Sequence, residues 1–159
     1  MSKIWFVSKR WFIEMGSPPL FYKWSSKILP WLYIVSIITL GVGLYWGLFY
    51  APTDYKQGDV YRIIFIHVPS AILGQSIFMF MAVCGFINMI WRAKISGMML
   101  KSAASIGASF TLLALITGSI WGKPTWGTWW VWDARLTSTL ILFFIYAALI
   151  GLHSTIDDK

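Results

Sequence analysis

Apolar and polar positions divide the chain into four long apolar runs joined by short polar stretches. The runs cover about residues 29–49, 69–90, 103–120 and 136–152. Each approaches the roughly 20 residues that carry a helix across about 30 Å of hydrocarbon. This pattern predicts an all-α fold: a polytopic membrane bundle of four transmembrane helices, joined by loops over about 50–68 and 121–135. The apolar stretch Ile63 to Ile66 is expected at the interface. The third run is rich in small residues. Ala104 with Ala108, and Ser105 with Ser109, give the small-xxx-small spacing that lets membrane helices approach closely.

Composition agrees with the pattern. Hydrophobic residues make up 58% of the 159 positions and charged residues 12%, about half the charge of a soluble domain, so a bilayer must supply much of the solvent. The single cysteine, Cys84, excludes an internal disulfide and reads as a small buried hydrophobe. No Cys-x-x-Cys-His is present, so the chain is not itself a c-type cytochrome. Without a phosphate-binding G-x-x-x-x-G-K-[ST] loop, any nucleotide hydrolysis belongs to a partner. No early apolar segment with a cleavage site suggests a signal peptide.

The formal charge of +7 does not mark a nucleic-acid binder, because the cations sit at the ends of the apolar runs. Lys3, Lys9, Arg10, Lys23, Lys27, Arg92, Lys94, Lys101 and Lys159 fall on one side, and Lys56, Arg62, Lys123 and Arg135 on the other. Nine against four places both termini in the cytoplasm by the positive-inside bias and turns both odd-numbered loops outward. Residues 1–28 mix Trp5, Trp11, Phe12, Phe21 and Trp24 with cations, as an amphipathic segment on the headgroups would. Residues 29–159 then form one transmembrane domain.

The unusual chemistry lies in those outward loops. Residues 121–132 read WGKPTWGTWWVW, which places five of eleven tryptophans in twelve positions: Trp121, Trp126, Trp129, Trp130 and Trp132. They are either an interfacial aromatic belt or a local slab of indole for a large, flat, polarisable ligand such as a porphyrin or a quinone. Gly122, Pro124 and Gly127 are expected to hold off regular helix until about Thr128. Asp133 reads as a cap for the fourth helix. Arg135 either snorkels toward headgroups or pairs with a ligand carboxylate, with Lys123 and Arg62 weaker candidates for that task. In the first outer loop His67 stands two residues before Pro69, a natural first-turn residue for the second helix. An imidazole facing the same compartment as the indoles is a candidate ligand for haem iron.

The stretches APTDYKQGDVYRIIFIHVP and GSIWGKPTWGTWWVWDARLTS closely resemble the haem exporter protein C (CcmC) family of cytochrome c maturation, Trp-rich membrane proteins that handle haem. The likeness runs from about Leu29 to Asp158. It implies that Trp121, Trp126, Trp129, Trp130, Trp132 and Asp133 form the haem-handling motif, and that His67 is an axial iron ligand. It also implies a carrier rather than an enzyme. Haem of the b type would be held transiently and without covalent attachment, beside an ABC-type ATPase and further membrane subunits, and passed to a periplasmic haem chaperone. A bacterial inner membrane is the implied location, with a mitochondrial one as the alternative.

The family has six membrane helices and a second axial histidine in the outer loop after the fifth, whereas four apolar runs are present here. A shortened reading frame is the favoured explanation. The other is a short form that takes its second ligand from a partner, water or the chaperone. His153 does not supply that ligand, because it follows Arg135 by eighteen residues, about 27 Å along a helix. A function from another class remains: a quinone-binding anchor subunit of a respiratory enzyme, using the same slab and a single histidine.

Overall fold

The computed structural model describes residues 17–157. Four helices carry the chain: α1 (Pro18–Tyr45), α2 (Ile64–Trp91), α3 (Lys94–Trp126) and α4 (Ala134–Asp157). A π-helical turn, Trp46–Tyr50, prolongs α1, and a 3-10 turn, Asp59–Ile63, leads into α2. All four are long and apolar enough to cross a membrane, and no strand occurs among the described residues. Of the interfacial segment expected over 1–28, residues 1–16 lie outside the described residues. The remainder opens α1, where the Lys27 ammonium sits 5.9 Å from the Trp24 ring centre.

Every helix is longer than its apolar run. Hydropathy marks the hydrocarbon, but the backbone goes on bonding through the headgroup layer, where Trp, Tyr and Lys are at home. The 28 residues of α2 rise about 42 Å, close to the full thickness with headgroups. The loops expected at 50–68 and 121–135 shorten accordingly. His67 falls inside α2, not before it. Pro69 leaves the Phe65 carbonyl without its usual donor, and beside that gap the Ser70 hydroxyl donates to the Ile66 carbonyl at 2.6 Å.

The expectation that Gly122 and Pro124 hold off helix until about Thr128 is overturned, since α3 runs unbroken to Trp126. The helix ends instead at Gly127, whose φ of +80° suits a residue without Cβ. Its N–H reaches back to the Lys123 carbonyl at 3.0 Å, the usual left-handed closure of a helix. The Thr125 hydroxyl donates to the Trp121 carbonyl at 2.7 Å, and the Lys123 ammonium to the Gly127 carbonyl at 3.1 Å. The Gly127 and Lys123 bonds satisfy carbonyls that a helix end otherwise leaves open, while the Thr125 hydroxyl adds a second donor to a carbonyl within the helix.

The bundle is built along one seam of α3, where Ala103, Ala104, Gly107, Thr111 and Ala114 are all buried. Water supplies no drive between helices in lipid, so close packing must hold them. On one side α2 presents Gly74, where a Cβ would stand 2.7 Å from the Thr111 hydroxyl. On the other, α4 lays the fully buried Tyr146 across Gly107, where any Cβ would strike the phenol ring. The Tyr146 hydroxyl then donates to the Gly74 carbonyl at 2.7 Å. One phenol therefore fixes α4 to α2 across the bare backbone of α3. Met81 completes this core, with Ile77, Phe78, Leu100, Leu142 and Leu149 around it. Of the two small-residue pairs, Ala104 and Ala108 belong to the seam. Ser105 and Ser109 face outward and bond to their own helix. Cys84 is buried.

Helix α1 buries none of its residues and meets the bundle at the turn that follows it. There Gly47 admits the Phe65 ring, whose Cγ would lie 2.7 Å from a Cβ. The Arg62 guanidinium donates to the Leu48 carbonyl at 2.6 Å and pairs with Asp59 at 3.4 Å.

A branched side chain at the seam should cost more than the hydroxyl above it. Gly107→Val forces Tyr146 aside and is expected to lose at least the 1–3 kcal/mol, roughly, of an overpacked core. Tyr146→Phe gives up one interhelical hydrogen bond, worth about 0.6 and at most about 1.7 kcal/mol in a membrane protein. Reversible unfolding in mixed micelles measures both, and equal losses would show that the seam is not close-packed.

Candidate functional site

The shared seam also brings α2, α3 and α4 together at the end of the bundle that carries the Trp-rich segment. A cavity of about 430 Å³ opens there, within the size range of small-molecule sites. His67, Ala71 and Gln75 line it from successive turns of α2. Ala114, Gly118, Trp121 and Thr125 line it from α3, and Arg135, Leu136 and Thr139 from the start of α4. The wall is mostly apolar with a few polar groups converging on it, as ligand sites require.

His67 is held against α3. Its Nδ1 lies 3.0 Å from the Thr117 hydroxyl, and its ring stands edge-on to Trp121 with centres 5.6 Å apart and planes 71° apart. Gly118 makes the approach possible, because a Cβ there would come within 3.0 Å of the imidazole Cε1. Trp121 is in turn fixed by Gln57, whose side-chain oxygen accepts the indole N–H at 2.8 Å. The preceding loop is shaped to deliver Gln57. The Asp54 carboxylate accepts the backbone N–H groups of Lys56 and Gln57 at 2.9 and 2.8 Å, and the Gly58 N–H closes the turn on the Asp54 carbonyl at 2.9 Å.

The rim is a cation on an indole. Arg135 places its guanidinium carbon 5.2 Å from the Trp126 ring centre, a cation–π geometry. One of its nitrogens also lies 3.3 Å from Asp133 Oδ2. Asp133 caps α4, its Oδ1 accepting the Leu136 N–H at 2.7 Å, as an N-terminal carboxylate should. Trp126 folds back over its own helix, with Gly122 leaving room for the ring.

The sequence-derived candidates therefore separate into two groups. His67, Trp121, Trp126 and Arg135 surround one cavity. Trp129, Trp130 and Trp132 follow α3 in an irregular segment outside the cavity wall, with Trp130 and Trp132 edge to face at 5.4 Å. Trp129 and Trp132 are exposed, and the Trp130 indole N–H is buried without a hydrogen-bond partner. The five indoles thus do not form one slab. Lys123 and Arg62 are engaged by backbone carbonyls away from the cavity wall. His153 directs Nδ1 to the Leu149 carbonyl of its own helix at 2.8 Å. Gln57, Gln75, Thr117 and Gly118 were missed by sequence reasoning. The spacing Thr117, Trp121, Thr125 could have flagged Thr117, since residues four apart share a helix face.

Comparison with known proteins gives one consistent result. The family model for "Heme exporter protein C" matches residues 11–159. A relative of that name from Escherichia coli K12 is 49% identical over 146 residues, covering 92% of this chain and 60% of the relative. Another from Haemophilus influenzae is 43% identical over 150 residues, covering 94% and 61%. One from Bradyrhizobium diazoefficiens is 45% identical over 146 residues, covering 92% and 55%. The chain spans about three fifths of the length of these curated relatives. It belongs to the haem exporter protein C family.

Proposed function

We propose that this protein binds haem at the outer face of a bacterial inner membrane and presents it for the assembly of c-type cytochromes. The observation that carries the reading is the placement of one imidazole, two indoles and one guanidinium around a single cavity: His67, Trp121, Trp126 and Arg135. The family's name supports haem as the cargo. The residues present fit a porphyrin. Haem iron takes axial imidazole, the two indoles offer flat polarisable surface to a macrocycle edge, and Arg135 is a bidentate partner for a propionate.

In this reading His67 supplies a metal ligand. Trp121 and Trp126 wall the cavity, Arg135 fixes the carboxylate end, and Asp133 steadies Arg135. Trp129, Trp130 and Trp132 lie where a partner that receives the haem would reach them. The protein is a carrier, not an enzyme, and its haem is of the b type, transient and non-covalent. Its partners are an ABC-type ATPase, further membrane subunits and a periplasmic haem chaperone.

Purified full-length protein given haem should develop a Soret band and a positive pyridine haemochrome. His67→Ala should shift the band and weaken binding, and an unchanged band would remove the axial role. A preparation free of iron that carries quinone would favour the respiratory-anchor alternative instead.

Arg135→Ala is expected to lose about 1.5–3 kcal/mol of haem binding, the worth of hydrogen bonds to a charged group, while its membrane insertion stays normal. Haem titration beside membrane fractionation measures both. Equal loss of the two would mean that Arg135 only anchors the helix at the interface.

Both termini are assigned to the cytoplasm. In a Cys84→Ser background, Thr128→Cys should react with a membrane-impermeant maleimide added to intact spheroplasts. Labelling only after lysis would reverse the orientation.

A further inference from the structure

The hydrogen-bond partners of His67 decide which ring nitrogen carries the proton. Thr117 is buried, and its hydroxyl, like that of many helical threonines, bonds back into its own helix. It lies 2.7 Å from the Leu113 carbonyl and 3.3 Å from the Ala114 carbonyl. Both are acceptors, so the hydroxyl's one hydrogen is directed at backbone and its lone pair is left for the neighbour. That neighbour is His67 Nδ1 at 3.0 Å, and the Ala114 carbonyl is a second acceptor within reach of the imidazole. With its hydrogen on backbone that oxygen accepts, which favours the hydrogen on Nδ1 and the lone pair on Nε2; the reverse arrangement, with the hydroxyl donating to Nδ1, would put the hydrogen on Nε2.

The ring is also packed closely against α3. A Cβ on Gly118 would lie 3.0 Å from Cε1, 3.5 Å from Nδ1 and 3.9 Å from Nε2, so the ring rests on bare backbone with Nε2 the most distant of the three atoms. Trp121 stands against it edge-on, itself held by Gln57. Helix α3 thus offers a hydroxyl, a gap and an indole within little more than one turn.

We propose that Thr117 is a positioning residue: by accepting the Nδ1 hydrogen it fixes His67, a side chain of the cavity wall, as the tautomer whose Nε2 is a free electron-pair donor. This deepens, and rests on, the reading of His67 as an axial ligand for haem. A metal-bound histidine commonly owes its tautomer and aim to the group that takes its other N–H, and here that group is a backbonded threonine in the membrane span. The same tautomer is unsuited to a quinone carbonyl, which needs a donor where Nε2 offers only a lone pair.

The test begins without haem. Full-length protein labelled with 15N-histidine, in lipid nanodiscs at a pH where imidazole is neutral, should show His67 protonated at Nδ1 and bare at Nε2. His153→Gln assigns the two histidines. Thr117→Val should move His67 toward the Nε2-protonated form, and Thr117→Ser should restore the wild-type pattern. With haem added, Thr117→Val should bind roughly 10–100-fold more weakly, the usual effect of losing such a support, and Thr117→Ser near wild type. An Nε2-protonated His67 in the wild type, or a tautomer indifferent to Thr117→Val while the Ser variant is folded, overturns the proposal. Failure of haem to bind a wild-type protein with the expected tautomer would instead defeat the haem reading and leave the role of Thr117 standing.

Discussion

The architecture depends on the missing side chain at Gly107. Because α3 offers bare backbone there, the Tyr146 ring can pass over it and bond the Gly74 carbonyl beyond. Helices in lipid are not squeezed together by water, so the contact must come from shape, and shape here means alanine, glycine and threonine on one face of α3. One buried hydroxyl reaching a backbone carbonyl then fixes the order and register of three helices. The interhelical bond is modest in energy but specific in geometry.

The cavity follows from that register. With α2 and α3 in contact at Gly74 and Thr111, His67 lies about two turns along α2 and Gly118 about two turns along α3, both toward the Trp-rich end. The same small-residue face that packs the core thus continues upward as the floor on which the imidazole rests. Packing and site are two stretches of one stripe: Gly107, Thr111 and Ala114 serve the first, and Thr117, Gly118 and Trp121 the second.

Much of this was legible in the sequence, and the remainder was hidden for physical reasons. Four apolar runs named four helices, and of the two small-residue pairs on α3 that of Ala104 and Ala108 lies on the packed face while that of Ser105 and Ser109 does not. The density of tryptophan and the nearby imidazole named the end that carries the cavity. Helix ends were not legible, because Pro124 and Gly122 read as breakers while the closure that tolerates them depends on Gly127, Thr125 and Lys123 together. Nor was the division of the indoles, since Trp126 reaches the cavity only by folding over Gly122 while Trp129 and Trp132 face away. Gln57 was unreadable for a different reason: its partner lies 64 positions away, and no local pattern announces a contact of that range.

Arg135 sits between two neighbours at the start of α4. Its guanidinium carbon lies 5.2 Å from the Trp126 ring centre and one nitrogen 3.3 Å from Asp133, and most of its five N–H groups remain uncommitted. A flexible arginine loses up to about 2 kcal/mol of rotamer entropy when an anion immobilises it. Here the Trp126 ring and the Asp133 carboxylate both favour one placement of the guanidinium at the cavity rim. Because the group is two-thirds exposed, water competes for the same hydrogens, and that placement is only weakly held.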